Sequence, residues 1–232
     1  MALPKVKQEL TDAVLSAPSP EGGSWLTAAR EAARTRLASL GMPVRRDEYW
    51  KFTNPEPWTG PHAHATTTDV SHVFDGVKPL TLVFTDGVFD ANASDDLTLE
   101  GVTIERLSEI AVTDLHWAKA LYGTLEAAAN GAERRDGARL FKPVARPMAA
   151  LNTTMAGEGV LIHVTDEVSR PIRISYRSNG GEAMLHHLVK VDAGASVTLL
   201  EEGLAGARSN TMLEVDVAKG GSFHHLRIQG PE

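Results

Sequence analysis

Apolar positions recur at helical spacing twice near the start of the chain. In residues 5–16, KVKQELTDAVLS, Val6, Leu10, Ala13 and Val14 share one face, and the APSPEGG that follows brings the Pro and Gly that end a helix. A longer helix is predicted from Ser24, its N-cap, with Trp25, Ala29, Ala32, Ala33, Leu37 and Leu40 on one face and Gly41 as its stop. Residues 54–68, NPEPWTGPHAHATTT, hold three prolines and read as a surface-crossing connector. Residues 80–84, LTLVF, read as a strand running into the turn TDGVFD, with Val102–Ile104 as a candidate partner strand. Residues 106–130 return to a helical pattern, and GAERRDGAR, with five charges and two glycines, reads as an exposed, mobile loop.

From about Met148 no helical period survives. Short runs (GVLIHV, PIRISY, LHHLVKV, SVTLLEE, TMLEVDV, SFHHLRI) are separated by turn residues, so this half reads as all β. It also repeats. Residues 184–202 align without a gap on 210–228, an offset of 26, which sets Val191 on Val217, Gly194 on Gly220, Ser196 on Ser222 and Leu200 on Leu226. A degenerate earlier copy sets Val164 27 residues before Val191. Two strands and two turns per period fit one coil of a β-solenoid, with Val164, Val191 and Val217 in one column. A β-sandwich is the competing fold, but it does not require glycines and apolar positions at a fixed interval. The organisation expected is a helical and mixed α/β region over 1–147 and the first coils of a solenoid over 148–232.

Composition narrows the function classes. The chain has 232 residues, 42% of them hydrophobic and 23% charged, as in an ordinary globular protein. A formal charge of −7 gives no general field for nucleic acid or an anionic membrane, so neither is expected as a partner. There is no cysteine, which removes disulfides, thiolate ligands and a thiol nucleophile from this chain. No signal-length apolar segment and no run of about 18 apolar residues occurs, so a cytoplasmic location is expected. Against this plain background, RRDEYWKFTNPEPW (45–58) holds Tyr49, Trp50, Phe52 and Trp58, four of the chain's 13 aromatics. Burial where the N-terminal helices dock is the simpler expectation for such a cluster, and a partner-binding patch is the other.

Four segments in order, PVRRDEYWKFTN (43–54), LVFTDGVF (82–89), LNTTMAGEGVLIHV (151–164) and VDAGASVTLLEE (191–202), resemble the SufD family of iron–sulfur cluster assembly proteins. The likeness is collinear from about residue 25 to the end. It implies an N-terminal helical region, a right-handed parallel β-helix and a C-terminal helical region. The third part has no counterpart here, so the chain reads as the N-terminal portion of a longer protein. The resemblance also implies a non-enzymatic subunit that pairs with a SufB paralogue and binds the SufC ATPase. Cluster and ATP then belong to the assembled complex, and no family site residue carries over to this chain.

The residues themselves offer little independent chemistry. His62 and His64 form an H-x-H, but Thr68 and Asp69 stand where a cupin would place its glutamate. His186–His187 and His224–His225 are adjacent pairs, whose side chains diverge on a strand, and 38 residues separate the pairs, one and a half coils. With His163 in a third strand, no three convergent ligands are predicted. Glu201 and Glu202 diverge for the same reason, and neither GGS (22–24) nor GEG (157–159) belongs to a phosphate-binding loop. No catalytic, cofactor or metal residue is therefore assigned. A polysaccharide-active β-helix enzyme would need a column of acidic or basic residues that the aligned coils lack, and a generic solenoid scaffold is the third reading. The coil edge at SFHHLRIQGPE is expected to support self-association of the chain.

Overall fold

The computed structural model describes residues 3–60, 73–129, 134–136, 139–141 and 144–228. Its helices are α1 (Lys5–Leu15), α2 (Ser24–Leu40), α3 (Glu56–Thr59), α4 (Leu107–Ile110), α5 (Thr124–Ala129) and α6 (Pro147–Met155). Its strands are β1 (Leu80–Thr85), β2 (Val88–Phe89), β3 (Val102–Arg106), β4 (Arg134–Asp136), β5 (Arg139–Phe141), β6 (Val160–Val164), β7 (Ile172–Arg177), β8 (Glu182–Val191), β9 (Ser196–Gly203), β10 (Arg208–Val217) and β11 (Ser222–Ile228). The class is mixed α/β, with parallel and antiparallel strands. Two compact units are present, and each is discontinuous in sequence: Met1–His62 with Ala111–Ala156, and Ala63–Ile110 with Gly157–Glu232. A single boundary at 147/148, as the texture of the sequence suggests, does not describe this division.

In the helical unit α2 buries Trp25, Leu26, Arg30, Ala33 and Leu37. Arg30 is the surprise of that face. Its guanidinium donates to the carbonyls of Pro20 (2.8 Å), Glu21 (3.1 Å) and Ala156 (2.6 Å), so backbone oxygens take the place of a carboxylate. Ala32, assigned to the buried stripe by its spacing, is exposed. Ser24 is the first helical residue rather than the cap, and Gly23 caps. On α1 the inward residues are Lys7, Leu10, Thr11 and Val14, while Val6 and Ala13 face solvent. The Thr11 hydroxyl accepts the Met42 N–H at 2.9 Å, which joins α1 to the chain after α2.

The helical pattern of 106–130 breaks into α4, a 3-10 turn at Trp117–Ala120 and α5. GAERRDGAR contributes to an antiparallel hairpin, Arg134–Asp136 on Arg139–Phe141, where a loop is expected. Met148 begins no strand: it lies in α6, and β structure resumes at Val160.

The aromatic stretch corrects the burial expectation. It lies outside the helical core, in a series of turns held by Asp47. That carboxylate accepts from Lys7 (2.8 Å) and from the Val44 N–H (3.1 Å). Tyr49 is 61% exposed, Phe52 91% and Trp58 41%. Pro55, not an aromatic, is the buried residue of this segment.

In the sheet unit the chain alternates between two sheets. One has the order β11-β9-β7-β1-β2 and the other β10-β8-β6-β3. β7, β9 and β11 run parallel, as do β6, β8 and β10, which rules out the antiparallel neighbours of a sandwich. The observed register is the sequence repeat: Val217 lies beside Val191 and Phe223 beside Val197, 26 residues apart, and Val164 lies beside Val191. The three valines thus form one column of one sheet, although Val217 is 42% exposed. Gly194 (φ 78°) and Gly220 (φ 81°) recur because both turns need a left-handed residue. β3 pairs antiparallel with β6, not with β1, while β1 joins β7 in parallel. Between the sheets Leu82, Phe84, Ile162, Val164, Ile174, Val189, Val191 and Leu199 form one buried core.

Candidate functional site

Three strands of the sheet unit carry a polar side chain at an otherwise apolar phase of the pleat. Tyr176 follows Ile172 and Ile174 on β7, His187 stands between Leu185 and Val189 on β8, and Glu201 follows Val197 and Leu199 on β9. His225 and Arg227 on β11 share the phase of Phe223, which packs against the core. Because β7, β8, β9 and β11 belong to two facing sheets, these side chains meet between them. β9 can pass close to Tyr176 only because residue 203 is glycine: a Cβ there would lie 2.2 Å from the Tyr176 carbonyl oxygen.

A continuous hydrogen-bonded chain results. The Val160 N–H donates to His187 Nδ1 at 3.0 Å, so the ring proton of the neutral imidazole sits on Nε2. Nε2 in turn donates to the Tyr176 hydroxyl at 3.0 Å. That hydroxyl donates to Glu201 Oε1 at 2.5 Å, and His225 Nε2 donates to Glu201 Oε2 at 2.6 Å. The Arg227 guanidinium lies 5.9 Å from the centre of the Tyr176 ring. Phe84 meets the His187 ring edge-on at 5.7 Å and closes the apolar side.

Electrostatics orders the protons along this chain. Burial lowers the His187 pKa to about 4, which keeps the ring neutral, with Glu201 opposing the shift. Burial also raises Tyr176 well above the usual phenol value, and the Glu201 charge adds to it. Burial pushes Glu201 up as well, but the Tyr176 hydrogen bond, the electrostatic influence of the His187 site and of the Arg227 guanidinium, and the His225 bond outweigh it, and the net shift is downward. An ionised carboxylate is thereby held beside two neutral donors, linked to a histidine whose side chain is 32% exposed. Its bonds all point toward Glu201, so the chain gathers donors from β7 and β11 around one buried carboxylate and ties the facing strands together through it.

The other histidines go elsewhere. His62 and His64 lie outside the described residues. His163 bonds Asp192 at 3.0 Å, and His186 bonds Glu214 at 2.9 Å on the opposite face of β8 from His187, as strand alternation requires. Glu201 and Glu202 also diverge, Glu202 lying 3.4 Å from Arg173. His187 and His225 are out of vertical register, as their 38-residue spacing implies, but Tyr176 and Glu201 connect them across the sheets. The readable signal was phase rather than spacing: Tyr176, Glu201 and His225 each continue an inward apolar series. Among the described residues no group of three or more His, Cys, Asp or Glu is placed to hold a metal ion. No helix among them is long and apolar enough to cross a membrane.

A family profile described as the SufBD protein N-terminal region matches residues 16–174. The chain belongs to the SufBD family. The match spans both units, from the end of α1 to β7, and so covers the aromatic stretch and the Tyr-bearing strand's first residues. Membership of the SufBD family connects the chain with iron–sulfur cluster assembly by the SUF system, whose SufBD proteins are scaffold-like rather than classical enzymes and work with other SUF components. No curated protein matches the chain.

Proposed function

We propose that the chain is a SufD-type subunit of a SufBCD-like assembly scaffold in the cytoplasm. It pairs with a SufB-like paralogue, while a SufC-like ATPase supplies the nucleotide chemistry. The observation that carries this reading is the SufBD match over residues 16–174. Strands that alternate between two sheets at a 26-residue register support a second part of it, that β6–β11 are successive coils of a right-handed parallel β-helix. A third part is that thiolates for a nascent cluster, the cargo of the assembly, come from outside these 232 residues, which hold no cysteine.

Co-expression of the tagged chain with SufB-type and SufC-type subunits from the same genome tests the reading. A stable complex containing one copy each of this chain and the SufB-type subunit is the expected result. Recovery of the chain only with itself, or displacement of the SufB-type subunit by it, would overturn the SufD assignment.

A further inference from the structure

The exposed aromatic segment of the helical unit has no role in the site between the sheets. It is an anchored structure, not a loose one. Asp47 ties its start to Lys7, Glu48 pairs with Lys51 at 2.6 Å, and Lys51 lies 5.0 Å from the centre of the Phe52 ring. The backbone repeats short turns, Trp50 N–H to Asp47 carbonyl at 2.9 Å and Thr53 N–H to Trp50 carbonyl at 3.0 Å, which hold Tyr49 and Phe52 outward. Large rigid aromatics fixed in water present apolar area at little entropic cost to a partner.

A cavity of about 240 Å³ lies against this segment, with Leu40, Tyr49, Trp50, Val144 and Pro147 among its walls. That volume is below the roughly 300–1,000 Å³ of small-molecule sites, and it suits one inserted side chain, the anchor of a protein contact. Charge specifies what surrounds that anchor. Asp47 and Glu48 are neutralised by Lys7 and Lys51, whereas Arg45 and Arg46, both exposed, have no carboxylate partner among the described residues. Glu56, hydrogen-bonded with Asn54, stands at the far end beside Trp58. Two adjoining free guanidiniums at the start of an aromatic surface favour carboxylates.

We infer that residues 45–58 are a docking surface for an acidic peptide segment of a partner protein, which places one aromatic or leucine side chain in the cavity and its carboxylates on Arg45 and Arg46. A single-stranded nucleic acid fits less well, because Glu48 and Glu56 are interleaved with the aromatics where phosphates would run. This inference is independent of the SufD assignment, since it needs only this surface.

Random 12-residue peptides displayed on phage are selected against the whole chain, with the Arg45→Glu/Arg46→Glu variant as counter-selection. Enrichment of peptides that combine Asp or Glu with Leu, Phe or Trp is expected. A synthesised representative, measured by fluorescence anisotropy, should bind the double variant at least about tenfold more weakly and Phe52→Ser several-fold more weakly. Val112→Ser, a change at another exposed apolar position, should leave its affinity unchanged. Phe52 is 91% exposed, so the Phe52→Ser result stands even if the charge reversal disturbs folding. No enrichment, enrichment of basic peptides, equal binding to the double variant, or tighter binding of a 12-nucleotide oligothymidine would each overturn the inference.

Discussion

The two parts of this molecule that depart most from oil-drop logic depart in opposite directions. Residues 45–58 put aromatics into water on the helical unit, while β7, β8, β9 and β11 put Tyr, His and Glu between two apolar sheets. The difference lies in how each is held. The outer segment is fixed by ion pairs and backbone turns that need no burial, so its aromatic area remains free to be used. The inner chain satisfies each polar group with a neighbour on another strand, so its cost depends on all the partners being present together. A change on the outside should therefore cost recognition and little stability, and a change inside the reverse.

The largest expected effect marks what an unpartnered charge costs between the sheets. Val191→Asp places a lone carboxylate in the valine column and should cost more than about 4 kcal/mol, seen as loss of a cooperative unfolding transition. A folded, cooperative variant would show that the space between the sheets is wetter than its packing indicates. Next, Glu201→Leu strands the Tyr176 hydroxyl and the His225 ring and should cost about 3 kcal/mol by urea unfolding, with Glu201→Gln losing less.

Third comes pH. The folded His187 pKa is about 4 against an ordinary 6.5, so between these values the unfolded chain binds the extra proton. Stability is then fully present above about pH 6.5 and falls toward pH 4, by roughly 3 kcal/mol in all. Glu201, whose pKa is lowered in the fold, contributes in the same direction as pH falls through its folded value. His187→Gln should remove close to one proton from the slope of unfolding free energy between pH 6.5 and 4. An unchanged slope would place the titration elsewhere. The smallest effect belongs to the outer segment: Tyr49→Ser and Phe52→Ser should each alter stability by less than about 0.5 kcal/mol in thermal unfolding. A loss above about 2 kcal/mol would mean that these rings are buried in solution, and the contrast between the two regions would collapse.

What was legible in the sequence followed from periodicity. The offset that sets Val191 on Val217 and Ser196 on Ser222 is the register of the parallel strands, because parallel neighbours that repeat at a fixed interval place equivalent residues side by side. α2 was legible from its apolar spacing and Gly41, whose N–H bonds the Leu37 carbonyl. Arg30 was not, since three carbonyls from Pro20, Glu21 and Ala156 decide its burial and two of them adjoin no helix signal. The strands at 80–106 were legible as strands but not as members of the later sheets, because their partners lie far along the chain. The site was hidden by a spacing argument that is right along one sheet and silent about contacts across two: His187 and His225 never stack, yet Tyr176 and Glu201 link them. The burial expected of the aromatic stretch treated composition as location, whereas Asp47 and its two partners set where that segment points.

The pairing of β1 with β7 has a temporal side. Thr81 and Arg173, which bond across that pair, are separated by 92 residues. At about 5–20 residues per second a ribosome needs roughly 5–20 s to travel that far, and for all that time the edge of LTLVF opposite β2 has no strand to lie beside. The helical unit is interrupted by the same stretch of chain, because its last helix, α6, emerges only after β1–β3 are made. Each unit is thus begun before the other is complete, and the nascent protein carries a hydrophobic strand with one open edge that a chaperone, or a neighbouring nascent chain, meets first.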